Sequence, residues 1–217
     1  PTVSKGGATT TNGSYKAGTS ITVTLQFSEA VYVTGTPQLT LETGAVDAVA
    51  SYSSGSGTTT LSFAFTVASG DNSTDLAYQS TSALALNGGT IKDLAGNNAT
   101  LTLPALAGVN SIAGNAAIVV DTVAPTVSNV TSSTANGSYT TGSVIAVQVV
   151  FSEVVYVTNT PQISLALTNR TATVNYTSGS GSNTLLFNYT VQAGDTSSDL
   201  AYTSTSALSL NGGTVRD

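Results

Sequence analysis

The chain of 217 residues contains no Cys, His, Met or Trp, and only 7% of its residues are charged. Without His or Cys it can build neither a Ser–His–Asp nor a Cys–His catalytic site, and a tetrahedral zinc site is excluded. Without Cys, no disulfide can stabilise the fold. Each domain must therefore bury an adequate hydrophobic core, which a chain of this length can do.

Basic residues and long apolar runs are also scarce. Five Lys and Arg stand against 11 Asp and Glu, which gives a net charge of -6. A positive surface for nucleic acid or for anionic lipid is therefore not expected. The chain has no apolar run of about 18 residues that would predict a transmembrane helix. It also shows no charged segment followed by an apolar stretch, the pattern of a signal peptide.

An internal repeat with an offset of 124 residues organises the chain. The segment Asn12–Tyr15 recurs as Asn136–Tyr139, and Thr81–Thr90 recurs as Thr205–Thr214 with one change. More than half of the overlapping positions are identical, as expected for a repeat architecture. The repeat predicts two domains, residues 1–122 and 123–217.

The second repeat lacks a counterpart of residues 94–124. We therefore expect its domain to lack its last strand, which would leave an unpaired edge and an open core groove. The connector Asp121-Thr122-Val123-Ala124-Pro125 is short and ends in Pro, unlike a flexible Gly/Ser linker.

Apolar and polar residues alternate with a period of two, which predicts β-strands. Ile21, Val23, Leu25 and Phe27 show the pattern, and it returns at 145–151. Asn-Gly pairs separate the runs as turn signals. The fold class predicted is all-β, with two tandem immunoglobulin-like antiparallel β-sandwiches. The strands of the first repeat are placed near 2–9, 20–28, 31–41, 46–54, 59–68, 76–91 and 116–122, with a small extra strand at Leu101 and Leu103.

The acidic residues are few, and most of them recur in both repeats. Three of the 11 have no acidic counterpart in the other repeat: Glu42, Asp47 and the connector residue Asp121. Strand direction alternates in a sandwich, so the end of each strand can be assigned to one pole of its domain. This assignment predicts that five carboxylates converge at the junction of the two repeats: Asp71, Asp75, Asp121, Glu153 and Asp217. Weaker candidates at the equivalent positions are Glu29, Asp93, Asp195 and Asp199.

Several carboxylates at one place repel each other unless a cation neutralises them. Oxygen ligands without His or Cys suit a hard cation, and Ca²⁺ fits best because it accepts six to eight oxygens in irregular geometry. Two alternatives remain open. The ions could bind within single domains, or the carboxylates could be structural, capping Gly-Asp turns or protecting a sheet edge.

The residues suggest two further functions. Carboxylate pairs can hydrolyse glycosides, but these pairs recur at both poles and no aromatic-lined cleft is indicated, so we expect no enzyme. Tyr32 and Tyr156, or Tyr52 and Tyr176, could stack on sugars. They could equally be half-buried strand residues with hydrated hydroxyls. A carbohydrate-binding module is therefore the alternative function.

Four segments carry a family resemblance: Phe27-Ser28-Glu29, Gly70-Asp71 with Asp75–Tyr78, Leu86–Asn97 and Val120–Pro125. Together they resemble the bacterial immunoglobulin-like and cadherin-like repeats of large cell-surface adhesins and extracellular fibres. The connector departs from the cadherin pattern, because it has one acid rather than a run of Asp and Asn.

The resemblance implies a structural extender outside the cell, stiffened by Ca²⁺ between domains, with the ion role on the five junction carboxylates. The expected partners are neighbouring repeats or copies of the same protein. A glycan would bind at a distal tip outside this chain. The incomplete second repeat adds the expectation that another copy supplies a strand, since donated strands can build fibres.

Overall fold

The computed structural model describes all residues from Pro1 to Asp217. The chain forms two compact units, Pro1–Val123 and Ala124–Asp217. Strands, turns and irregular segments make up both units, and neither contains a helix. The predicted all-β fold is confirmed. No helix is present that could cross a membrane.

The first unit contains ten strands. They are β1 (Val3–Ala8), β2 (Gly13–Tyr15), β3 (Ser20–Thr34), β4 (Gln38–Glu42), β5 (Ala48–Ser54), β6 (Thr58–Thr66), β7 (Ala77–Tyr78), β8 (Leu84–Ala85), β9 (Thr90–Lys92) and β10 (Ile118–Val120).

The second unit repeats this order with eight strands. They are β11 (Val127–Ser132), β12 (Val144–Thr158), β13 (Gln162–Ala166), β14 (Thr171–Ser178), β15 (Ser182–Thr190), β16 (Ala201–Tyr202), β17 (Leu208–Ser209) and β18 (Thr214–Arg216). It has no counterpart of β2 or of β10.

The main sheet of the first unit is antiparallel, in the order β1-β3-β6-β5-β4-β7, with β8 beside β4 and β9 beside β3. The sheet curls because β3 has two partners. Its first half pairs with β6, its last residues pair with β9, and the register shifts between Gln26 and Val31. The apolar residues of alternate positions face inward and form a sandwich-like core. Outside this sheet, β10 runs parallel to β2.

The predicted strand boundaries need three corrections. The strands expected at 20–28 and 31–41 are one long strand, β3, followed by the short β4. The alternation breaks at 28–30 because the chain passes there from one layer to the other. The strand expected at 76–91 is divided into β7, β8 and β9, and Leu101 and Leu103 lie in an irregular segment rather than in a strand.

The long connection before β10 completes the core of the first unit. Its buried residues include Ile112, at 0% exposure, and Leu103, at 3%. From β10, Ile118 and Val120 point into the same core. Burial of each such side chain is worth about 1.5–3 kcal/mol, so this segment is a major part of the stability of the first unit.

Candidate functional site

The sheet register brings two acidic side chains of the second unit together. Strand β18 pairs antiparallel with the end of β12, with Tyr156 opposite Arg216. Asp217 follows one residue later and Glu153 lies three residues before Tyr156, so the two become diagonal neighbours across the ladder. A carboxylate oxygen of Glu153 lies within 4.8 Å of one of Asp217.

The predicted strand 20–28 corresponds to 144–152 in the second repeat and would place Glu153 just after a strand, but Glu153 lies inside β12. It occupies the register shift between Val150 and Val155, where β12 leaves β15. Glu153 is half-buried and Asp217 is exposed. Two unit charges about 4 Å apart repel by about 1 kcal/mol in water and by about 4 kcal/mol near a protein surface. A cation bound to both carboxylates would remove this repulsion.

The first unit has the same ladder, with Tyr32 opposite Lys92. Its acids have other partners. The Glu29 carboxylate lies 3.1 Å from the Pro1 ammonium. Asp93 accepts hydrogen bonds from the backbone N and the side-chain Nδ2 of Asn97, at 2.8 and 2.7 Å. These bonds, the side-chain bond first, lower the pKa of Asp93. Asp93 therefore caps a turn.

Asp121 lies at the end of β10 and is half-buried. Its backbone N donates to the carbonyl of Tyr15 at 3.0 Å, and its Oδ1 accepts from the backbone N of Val123 at 3.0 Å. The other carboxylate oxygen has no hydrogen bond within the first unit. Asp121 can therefore offer an oxygen to a ligand while its backbone is fixed.

The turn that carries Asp71 lies beside the connector. The backbone N of Thr122 donates to Asn72 Oδ1 at 3.0 Å, and Thr122 Oγ1 accepts from the backbone N of Gly70 at 3.0 Å. The turn after β6 and the connector are thus held at the same end of the first unit. The alternation of strand direction predicts this placement.

Asp71 and Asp75 do not join Asp121 in a group of three carboxylates whose oxygens lie within 4.8 Å of one another. Asp71 is 7% exposed, and its Oδ2 accepts from the backbone N of Ala68 at 2.8 Å. Asp75 is exposed and has no hydrogen-bond partner for its carboxylate. Asp71 therefore acts as a turn cap, and the five-residue site stays a prediction.

Asp195, the counterpart of Asp71, has a full set of partners. Arg170 binds it in a bidentate ion pair at 2.7 and 2.8 Å, and the backbone N of Gln192 donates at 2.9 Å. The Tyr189 hydroxyl also donates to it. The bond from Arg170, followed by that from Tyr189, lowers the pKa of Asp195 far below its ordinary value. Burial, followed by the hydrogen bond to Asp195 and its negative charge, raises the pKa of Tyr189 to about 12.

Sequence reasoning missed this cluster because its partners do not recur. Arg170 and Tyr189 align with Val46 and Phe65 in the first repeat. The ion pair leaves Asp195 no free charge for a cation. Asp199 is exposed and carries only a bond from Ser197 Oγ to its backbone carbonyl, at 2.9 Å.

The four tyrosines that could stack on sugars divide into two kinds. Tyr52 and Tyr176 are half-buried, and their hydroxyls accept from backbone N–H groups of the following turn at 2.9 and 2.8 Å. Their rings pack edge-on against phenylalanines at 6.1 Å. Tyr32 and Tyr156 are 43% and 59% exposed. Of these four, only Tyr32 and Tyr156 are exposed enough to contact a ligand.

Comparison of the chain with models of protein families, with curated proteins and with solved structures found no match. Any functional conclusion therefore rests on the residues of the chain itself.

Proposed function

We propose that this chain is a structural extender of a bacterial cell-surface adhesin or extracellular filament. Consecutive repeats are stiffened by Ca²⁺ bound where one repeat meets the next, and chains assemble by strand donation. Its location is extracellular, and its partners are neighbouring repeats or copies of the same protein.

The Glu153–Asp217 pair is the observation that carries this proposal. Both carboxylates lie at one end of the second unit, with oxygens within 4.8 Å. This spacing suits two oxygens of one coordination shell, since Ca²⁺ binds oxygens at about 2.3–2.6 Å. Asp121, four residues before Pro125, is proposed as the third carboxylate ligand.

The connector supports the proposal because little of it is free. Thr122 is tied to the turn at Gly70 and Asn72. Thr126 is tied to Ser152 by two hydrogen bonds, at 3.0 and 2.8 Å. Only three residues separate these anchors, and one is Pro125, whose φ is fixed. A link this short leaves few conformations for one ion to restrict.

A calcium titration of the full chain tests the proposal by thermal melting and small-angle scattering. An ion that binds only the folded state stabilises it by about 2.7 kcal/mol at 100 times its Kd. We expect a higher melting temperature and a longer, less variable particle with Ca²⁺. Asp121→Asn and Glu153→Gln should each reduce both effects.

Glu42→Gln is the matched control, because Glu42 is exposed and has no acidic counterpart in the second repeat. It should leave the calcium response unchanged. If chelator alters neither melting nor particle dimensions, the calcium part of the proposal is wrong. If all variants responded equally to Ca²⁺, the ion would have to bind at another site.

Exposed Tyr32 and Tyr156 favour one alternative, a carbohydrate-binding module. They occupy equivalent positions on the two repeats, and an exposed aromatic ring can stack on a sugar. An oligosaccharide array separates the two functions, because an extender should bind no glycan. Binding that is lost in the Tyr32→Ser, Tyr156→Ser double variant would favour the alternative.

A further inference from the structure

An open groove of about 670 Å³ runs along the second unit. We call it the core groove. It lies between β11, β12 and the segment 195–202, and its apolar wall includes Val130, Ile145, Leu165, Leu167, Tyr189 and Tyr202. Tyr202 is 44% exposed there, whereas its counterpart Tyr78 is fully buried. The core groove therefore has a mixed polar and apolar lining, and its apolar wall is surface that the first repeat keeps covered.

The first unit shows what covers this surface. Strand β10 lies parallel to β2, and its Ile118 and Val120 are 0% and 2% exposed. The carbonyls of β10 and of the preceding Ala117 accept from three backbone N–H groups of the unit. These bonds are Gly13 N to Ala117 O at 3.0 Å, Leu76 N to Ile118 O at 2.8 Å, and Ser73 N to Val120 O at 2.8 Å.

The same three donors are present and unused in the second unit. They are the backbone N–H groups of Gly137, Leu200 and Ser197, at the positions equivalent to Gly13, Leu76 and Ser73. None of the three has a hydrogen-bond partner. Segment 137–139 is not a strand, although β2 is, because β2 exists only by pairing with β10.

We propose that the core groove binds an extended peptide segment with the chemistry of residues 117–121. The segment carries apolar side chains at two alternate positions and lies parallel to 137–139. Its carbonyls accept from Gly137, Leu200 and Ser197. The inference deepens the assembly by strand donation in the proposed function and is independent of the calcium site.

The occupant is a strand of the β10 type, not the whole segment that covers the first unit. At Gly6 an added Cβ would lie 3.0 Å from the backbone N of Ile112 and 3.1 Å from its Cγ1. The second repeat has Val130 at this position. The Val130 side chain therefore takes part of the space that Ile112 fills in the first unit. In the proposed complex, side chains equivalent to Ile118 and Val120 would fill the part of the opening that Val130 leaves.

The test uses the full chain and a synthetic peptide of residues 115–123, followed by hydrogen exchange of backbone amides measured by NMR. We expect saturable binding that slows exchange at Gly137, Ser197 and Leu200. The equivalent amides Gly13, Ser73 and Leu76 are already bonded and should not change. Chelator should not weaken this binding, so a failure of the calcium site would not affect the result.

Two controls keep the test independent of folding. The peptide with Ile118→Asp leaves the protein untouched and should bind at least about tenfold more weakly, a loss of about 1.4 kcal/mol. In the protein, Leu200→Asp should weaken binding, whereas Leu210→Asp should not, because Leu210 is exposed and does not line the core groove. Amide spectra show whether each variant is folded.

Slower exchange at other amides, or equal binding of the Ile118→Asp peptide, would overturn the proposal. So would the absence of binding at millimolar peptide. A dimer of the chain that resists the peptide while Gly137, Ser197 and Leu200 stay in fast exchange would assign the core groove to a face of a second copy rather than to a donated strand, and would also overturn the proposal.

Discussion

The two units share more than half of their aligned residues but differ in how their cores are closed. In the first unit, Leu76 and Tyr78 are fully buried beneath the segment that ends in β10. In the second unit, Leu200 is half-buried and Tyr202 is 44% exposed, although the residue types are identical. The difference shows that burial here is set by residues 94–123, and not by the local sequence of the strands.

The acidic residues show a similar dependence on context. Asp71 caps its own turn, whereas Asp195, at the equivalent position, is fixed by Arg170 and Tyr189. Only 3% of the Asp195 side chain is exposed. Recurrence of an acid therefore does not establish recurrence of its role.

The largest expected effect tests the core comparison. Tyr78→Ala removes a fully buried ring and the hydrogen bond from its hydroxyl to the carbonyl of Pro104. It should cost the first unit about 3–5 kcal/mol. Tyr202→Ala removes a ring that is 44% exposed and should cost the second unit clearly less, about 1 kcal/mol. Urea unfolding of the full chain, followed by NMR signals of each unit, measures both, and equal losses would refute the comparison.

The sequence predicts the all-β class because alternation with a period of two is a local property of each strand. It cannot predict where a strand changes partner. The β3 chain continues through the exposed residues 28–30 while moving from β6 to β9, and in sequence this passage looks like a turn. The division of 76–91 into three short strands has the same origin, because pairing depends on residues far along the chain.

The candidate site was predictable to a similar extent. Strand alternation places the turn at Gly70 at the same end as Thr122, and their hydrogen bond agrees. Strand alternation also places Glu153 and Asp217 at one end of the second unit. That they are diagonal neighbours follows from the sheet register, which sequence alone does not fix. The partners of Asp195 could not be found from the repeat, since Arg170 and Tyr189 replace Val46 and Phe65.

A substitution in β1 sharpens the account of why the two cores are closed differently. Gly6→Val installs the residue of the second repeat and should push against the backbone of Ile112, at a cost of about 1–3 kcal/mol. Gly7→Thr also installs a residue of the second repeat, but a Cβ there meets only ordinary contacts, at 3.4 and 4.0 Å. The free energy of unfolding of the first unit should therefore fall more in Gly6→Val than in Gly7→Thr. Similar losses in both variants would contradict the close approach at Gly6.

Acid should destabilise the second unit more than the first. The pKa of Asp195 is lowered in the folded state, so its stabilising effect is present above the unfolded value of about 3.9 and is lost as pH falls. Unfolding of each unit between pH 5 and pH 2 measures this loss. Arg170→Val should flatten the dependence, while Arg216→Val, which removes no ion pair, should not. An unchanged profile in Arg170→Val would exclude Arg170 as the cause.

The smallest expected effect concerns one amide that recurs in both repeats. Asn12 Oδ1 accepts from the backbone N of Ala117 at 3.0 Å and so holds the start of β10. Asn12→Ala should cost the first unit about 0.5–1.5 kcal/mol, the net value of one hydrogen bond. Asn136→Ala should leave the second unit unchanged, because its side chain has no such partner. With the peptide of residues 115–123 bound, however, Asn136 would acquire the bond, so Asn136→Ala should then weaken binding several-fold. An effect of Asn136→Ala that appears only with the peptide would show that both repeats hold a strand through the same asparagine side chain.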